Sequence, residues 1–292
     1  MPWLKLTLNS NPEQSEIISD LLEEQGAQAI TLIDAEDQPL YEPLPGEIPL
    51  WNKMEITGLF EADKDIESLR QALSSKLPYS VMESFRASPL EDKDWSRVWM
   101  DEYHPMQFGE NLWIVPSWTP APDPDATNIL LDPGLAFGTG THPTTAMCLR
   151  WLDGQDLSGQ QVLDYGCGSG ILAIAAAKLG AESILGIDID PQALIATQSN
   201  AERNEVSDKI ETSLPIDLEQ AHYDRVLANI LAGPLESLAP LLCGALKSGG
   251  QLVLSGILAQ QADTVRHAYA QFCNMDSTIQ DGDWIRLSGT RH

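Results

Sequence analysis

The sequence predicts two domains of different class: a doubly wound α/β domain in the C-terminal part, preceded by a smaller α+β domain of ferredoxin-like arrangement. Three observations predict this. From residue 161 onward, apolar runs of strand length alternate with helical stretches, the order that folds into parallel βαβ units. One of those units contains Asp164-Tyr165-Gly166-Cys167-Gly168-Ser169-Gly170, a buried strand that breaks into a glycine turn and opens a helix. Residues 1–90 instead read β-α-β-β-α-β.

Trp3 to Leu8 alternates like a half-buried strand, and Glu13 to Gln25 carries Ile17, Ile18, Leu21 and Leu22 at helical spacing before Gly26. Ala29 to Ile33 is a second strand, the acidic and proline-rich stretch Asp34 to Pro49 a loop, and Met54 to Phe60 a third strand. Ile66 to Leu77 returns to the helical period, and Tyr79 to Ala87 is expected to be the fourth strand. Residues 1–90 hold no catalytic constellation, which points to a recognition or docking role, with a purely structural role as the alternative. Residues 91–107 connect the domains, with Glu91 to Asp101 expected as a short charged helix bearing Trp95, Val98 and Trp99 on one face. Trp113 and Trp118 lack interleaved basic residues, so packing between the domains is favoured over stacking on bases.

The second domain, residues 108–292, begins its regular pattern with a helix over Ala146 to Leu152. Strands follow at Val162 to Tyr165, Ser183 to Asp188, Ile210 to Ser213, Arg225 to Asn229 and Gln251 to Ser255. Helices at Ser169 to Leu179, Pro191 to Asn204, Leu235 to Leu246 and Gln260 to Phe272 alternate with them. Asp276 to Ile279 and Trp284 to Ser288 are expected to close the sheet with a hairpin.

At 292 residues and 43% apolar composition the chain can fill two cores. No uncharged stretch is long enough for a membrane span and the first residues do not resemble a signal peptide, so a cytoplasmic protein without membrane contact is expected. Cys148, Cys167, Cys243 and Cys273 form no C-x-x-C pair, which argues against a zinc site or a disulfide framework and for reduced, mostly buried thiols. Lys plus Arg number 17 against 43 Asp plus Glu, a net charge of -26. Such a surface repels a nucleic-acid backbone and would draw in a basic protein, though an acidic surface kept for solubility has the same composition. A monomer is the expected state.

Gly166, Gly168 and Gly170 remove Cβ atoms from one edge of the turn, so a cofactor can approach the main chain and the helix N-terminus behind it. About twenty residues on, a second strand ends at Asp188, whose carboxylate can accept hydrogen bonds from both ribose hydroxyls. A dinucleotide fingerprint needs a third small residue where this chain has Ile171, and no Lys-Ser or Lys-Thr pair follows to make a P-loop. With Asp164 two residues before the first glycine, the pattern resembles the first motif of the S-adenosylmethionine-dependent methyltransferases of Rossmann-like fold. Ligands of doubly wound sheets lie beyond the carboxyl ends of the strands, so Asn229 at the end of its strand should face the reacting methyl group. Its alternative task is to cap the next helix. Related enzymes acting on flat amines commonly carry Asn-Pro-Pro-aromatic here; Ile230 and Leu231 replace it, favouring an aliphatic amine over a nucleobase. Upstream, Leu131 to Thr145 is a second glycine-rich loop in which Thr145 could bond the cofactor or cap a helix. His142 in the same loop could take a proton from an ammonium group, although a lone loop histidine is more often a surface residue.

Leu131 to Thr145, Asp164 to Leu172, Gly186 to Pro191 and Asn229 to Leu235, with Glu91 to Pro105 and the N-terminal arrangement, resemble the methyltransferases of protein eleven of the large ribosomal subunit. The resemblance spans most of the chain. It implies methylation of the α-amine and lysine side chains of one basic ribosomal protein, with no direct nucleic-acid partner. It also implies an N-terminal domain that holds the substrate, a flexible linker that reorients it, and binding of S-adenosylmethionine by Thr145, Gly166, Asp188 and Asn229. Composition and spacing alone stop at an amine methyltransferase. An RNA or small-molecule amine methyltransferase on the same fold, and a noncatalytic cofactor-binding adapter, remain the rivals.

Overall fold

The computed structural model describes residues 3–36, 38, 50–90, 103–132, 140, 142–215 and 222–292. The chain divides into two compact units, Met1–Trp99 and Met100–His292. The expected linker helix with Trp95, Val98 and Trp99 lies outside the described residues.

The first unit contains β1 (Trp3–Ser10), α1 (Pro12–Glu24), β2 (Ala29–Asp34), β3 (Met54–Glu61), α2 (Ile66–Ser74), α3 (Tyr79–Met82) and β4 (Arg86–Leu90). Its sheet runs β2-β3-β1-β4 with every pair antiparallel, so two split β-α-β units interleave. Alternate strand residues Leu4, Leu6, Leu8, Ile56 and Phe60 pack on Ile18, Leu22, Leu69 and Leu73 of the helices. Asn11 caps α1 by accepting from Gln14 N at 3.1 Å, and Asp65 caps α2 by accepting from Glu67 N at 3.1 Å. The fourth strand is shorter and later than the sequence suggests. Tyr79–Met82 forms one helical turn behind Pro78, anchored by buried Val81 and Met82, and β4 starts only at Arg86. Proline at position 89 is tolerated because β4 is an edge strand.

The second unit opens with β5 (Met106–Phe108), β6 (Leu112–Val115) and β7 (Thr127–Leu130), a three-stranded sheet with no counterpart among the sequence expectations. Asn204 pins it: its Oδ1 accepts from Leu130 N and its Nδ2 donates to Leu130 O, both at 2.8 Å. Trp113 stands half-buried on β6, and Trp118 packs at a tilt on Tyr103, their centroids 6.3 Å apart. There follow α4 (Pro143–Asp153), β8 (Gln161–Tyr165), α5 (Ile171–Lys178), β9 (Ser183–Ile187), α6 (Pro191–Arg203), β10 (Ile210–Ser213) and β11 (Tyr223–Asn229). The unit ends with α7 (Ala232–Ala245), β12 (Leu246–Leu258), α8 (Ala262–Ala270), β13 (Cys273–Met275), β14 (Ile279–Asp281) and β15 (Trp284–Arg291).

The large sheet runs β10-β9-β8-β11-β12-β15-β13, with β14 also on β15; β10 to β12 are parallel and the last strands antiparallel. This is the expected doubly wound sheet, covered on one face by α4 and α5 and on the other by α7 and α8. Its antiparallel end differs from a simple hairpin. Past Asp276, whose N–H still donates to Ser288 O at 2.8 Å, the ladder is interrupted, so two three-residue strands share β15 as their partner. Helix α7 begins at Ala232 rather than Leu235, because Pro234 falls in the first turn, where the missing N–H has no intrahelical acceptor to lose. It stops at Ala245, and Leu246 already belongs to β12. All four cysteines are free and buried, as expected, and Cys243 and Cys273 place their sulfurs 3.7 Å apart. Among the described residues no helix is long and apolar enough to cross a membrane.

Candidate functional site

The carboxyl ends of β8, β9 and β11 carry the residues singled out in the sequence. After β8 the chain passes through Gly166, Gly168 and Gly170 at φ of +82°, +54° and +79°, the left-handed region that L side chains resist. Parallel pairing puts Tyr165 beside Ile187, and Gly166 N and Cys167 N both donate to Ile187 O at 2.7 and 3.0 Å. Gly168 N donates to Asp188 Oδ2 at 2.9 Å, while Asp190 N donates to Asp188 Oδ1 at 3.0 Å. The loop carbonyls are satisfied by α6: Thr197 Oγ1 donates to Gly168 O at 3.1 Å and Asn200 Nδ2 to Ser169 O at 2.8 Å. Turn and acid are therefore one hydrogen-bonded assembly.

Two of the glycines answer to the protein itself more than to a ligand. A Cβ on Gly166 would lie 2.2 Å from the Ile230 side chain, and one on Gly170 would lie 2.8 Å from Thr197. The expectation that each missing Cβ opens room for a cofactor is corrected accordingly at these two positions.

Asp164 lies beneath the turn and is 1% exposed. Gly170, the residue that precedes α5, has no side chain to cap it, and Asp164 Oδ2 takes over by accepting from Ala173 N at 3.1 Å. Its Oδ1 is buried and has no partner among the described residues. Burial pushes the carboxyl up to about 7, opposed by the Ala173 bond and reinforced by the charge of Asp188.

Asn229 is half-buried at the end of β11 and does not cap α7, which Leu231 precedes. Its Nδ2 donates to Thr145 Oγ1 at 3.1 Å. Thr145 is buried in the first turn of α4, which starts at Pro143, so it is not the cap either. That task falls to His142, whose Nδ1 accepts from Thr144 N at 3.4 Å and lies 2.8 Å from Thr144 Oγ1. With Nδ1 accepting, the neutral ring carries its proton on Nε2. Burial lowers the His142 pKa, and its ring meets Trp284 edge-on at 4.7 Å between centroids. This geometry makes His142 the cap of α4, with Nδ1 engaged in that task. Residues 133–139 and 141 of the upstream glycine-rich loop lie outside the described residues.

Sequence reading missed Ile189, an isoleucine 81% exposed directly after Asp188, whose uncovered side chain offers an apolar face beside the acid. It missed Trp284 beside His142, and Thr197 and Asn200 as supports of the turn. The signal for Ile189 was present: an apolar residue between two acids, just past the strand end. A nucleoside fits this arrangement. Each Asp188 oxygen holds one N–H and keeps acceptor capacity, and a purine could cover Ile189.

A family model described as ribosomal protein L11 methyltransferase (PrmA) matches residues 2–292. The ribosomal protein L11 methyltransferase of Alteromonas mediterranea is 54% identical over 291 residues and that of Colwellia psychrerythraea 53% over 292, each alignment covering 100% of both chains. The crystal structure of ribosomal protein L11 methylase from Lactobacillus delbrueckii subsp. bulgaricus superimposes with a TM-score of 0.60 at 37% identity, covering 65% of this chain and 99% of that one.

Proposed function

The chain belongs to the ribosomal protein L11 methyltransferase family, and on that premise we propose that it transfers methyl groups from S-adenosylmethionine to amino groups of ribosomal protein L11. The observation that carries the reading is the glycine turn bonded to Asp188 on the same sheet edge as the Asn229–Thr145 pair. The cofactor supplies a sulfonium methyl that an amine can attack. Asp188 would hold the ribose hydroxyls with the lone pairs its loop bonds leave over, and Gly166, Gly168 and Gly170 give the turn its shape. Asp164 holds the helix start behind the turn.

Asn229 is the residue assigned to the substrate. Its amide nitrogen is committed to Thr145, which fixes the side chain and leaves the carbonyl oxygen to accept from the amine N–H. A neutral amine so held would be oriented for attack, with proximity and exclusion of water supplying the acceleration. His142 enters only as the residue that sets the start of α4, and so the place of Thr145. The Met1–Trp99 unit, which carries no such constellation among its described residues, is assigned to holding the protein substrate, with lysine side chains and the α-amine as targets. The acidic chain, net charge -26, suits a basic partner better than RNA.

The test is transfer of tritiated methyl from S-adenosylmethionine to purified ribosomal protein L11, beside ribosomal RNA and free lysine. Label in L11 that falls at least about tenfold in Asn229→Ala is expected. Label confined to RNA or free lysine would overturn the substrate, and cofactor binding without turnover on any of them would favour the adapter.

A further inference from the structure

Only Ile230 and Leu231 separate Asn229 from α7, and Ile230 is gripped from two sides. On one side its Cγ2 occupies the space where Gly166 would carry a Cβ, 2.2 Å away. On the other its main chain lies against β12 at Gly256, where a Cβ would fall 2.2 Å from Ile230 O, 2.7 Å from its C and 3.1 Å from its N. Gly256 has φ +84° and sits where the β12–β15 register breaks between Leu254 and Ile257. A bulge at the end of a central strand gives up ladder pairing, and this one makes room for one peptide of the neighbouring turn.

We infer that Gly256 is a positioning residue for methyl transfer: its bulge seats the Ile230 peptide and thereby sets Asn229 at hydrogen-bond distance from Thr145. This rests on the role given to Asn229 above. A methyl group at position 256 would have to drive the Ile230 carbonyl away by more than about 1 Å to reach ordinary contact. Asn229 is the adjacent residue, and a bond of 3.1 Å does not survive a shift of that size. Gly249 provides the control. It has φ +76° and nothing within 4 Å of its Cβ position, so alanine there carries the same backbone strain without the collision.

The experiment compares Gly256→Ala, Gly249→Ala, Asn229→Ala and the double variant Gly256→Ala/Asn229→Ala for kcat, KM for L11 and melting temperature. Gly256→Ala should lower kcat on the order of tenfold to hundredfold with KM for L11 held, since displacement near 1 Å costs about that much. The double variant should be no slower than Asn229→Ala alone, because both changes remove one interaction. Gly249→Ala should melt lower and keep wild-type kcat. If Asn229→Ala is slow but Gly256→Ala keeps wild-type kcat, or their losses multiply, the inference about Gly256 is wrong. If Asn229→Ala itself is as fast as wild type, it is the role of Asn229 that fails. Should Gly256→Ala not fold, Ile230→Ala loosens the Gly166 side of the grip, and a loss that multiplies with that of Asn229→Ala overturns the inference equally.

Discussion

Replacing Asp188 by asparagine is the most discriminating change at the nucleoside end of the site, because shape is kept while charge and one acceptor are lost. The carboxylate receives Gly168 N at 2.9 Å on Oδ2 and Asp190 N at 3.0 Å on Oδ1. An ionised carboxylate has about four acceptor positions, so two remain for the two ribose hydroxyls. In Asp188→Asn one oxygen becomes an NH2 group, which must oppose one of those two backbone N–H groups and can no longer accept from a hydroxyl. A hydrogen bond to a charged group is worth about 1.5 to 3 kcal/mol, so losing one ribose bond should raise the Kd for S-adenosylhomocysteine roughly tenfold to 150-fold. Titration calorimetry with that product reads the change, and a melting curve without ligand reads the separate cost of the donor clash. A folded variant whose Kd stays within about twofold of wild type would remove Asp188 from the ribose contact.

Asp164→Asn keeps an acceptor for Ala173 N and cannot ionise. Because burial holds the native carboxyl up at about 7, above its unfolded value, its stabilising share is complete below about pH 4 and is lost as pH rises through 7. The variant should therefore gain on wild type in urea melts from about pH 5 to pH 8, by on the order of 3 kcal/mol at most; a difference independent of pH would refute the burial argument. His142→Ala should cost about 0.5 to 2 kcal/mol of stability as a lost cap and slow turnover less than Asn229→Ala does; the opposite order of rates would restore His142 to a chemical role. Methylation of lysine should rise about 100-fold between pH 7 and pH 9, while an α-amine levels off near pH 8, as their pKa values of about 10.4 and about 8 require; initial rates on L11 and on a lysine-free variant would separate the two profiles.

What the sequence made legible was whatever depends on neighbouring residues. The glycine turn, the strand before it and Asp188 after the next strand all follow local rules of strand period and turn chemistry, and the structure brings them together as read. The place of Asn229 at the end of β11 was legible for a similar reason, since a parallel strand has a known direction. The rest depends on contacts between distant segments. Nothing near Gly256 in the sequence announces that Ile230 will press on it, although a glycine inside a strand is a signal of close approach. His142, Thr144 and Thr145 all have side chains able to cap a helix, and only the placement of Pro143 in the first turn decides among them. The three-residue strands β5, β13 and β14 are too short to show a period, so their pairing is decided by β6 and β15 rather than by their own residues. Tyr79 to Ala87 misled because one helical turn and the start of a strand together contain enough apolar residues to look like a single strand.

The support beneath the glycine turn has a thermodynamic corollary. Asp164 on β8 holds the helix start behind the turn, Asp188 accepts from its Gly168 amide, and Thr197 and Asn200 of α6 hold its carbonyls, so the concavity is preorganised before any guest arrives. Association at this end then forfeits little chain entropy from the turn itself.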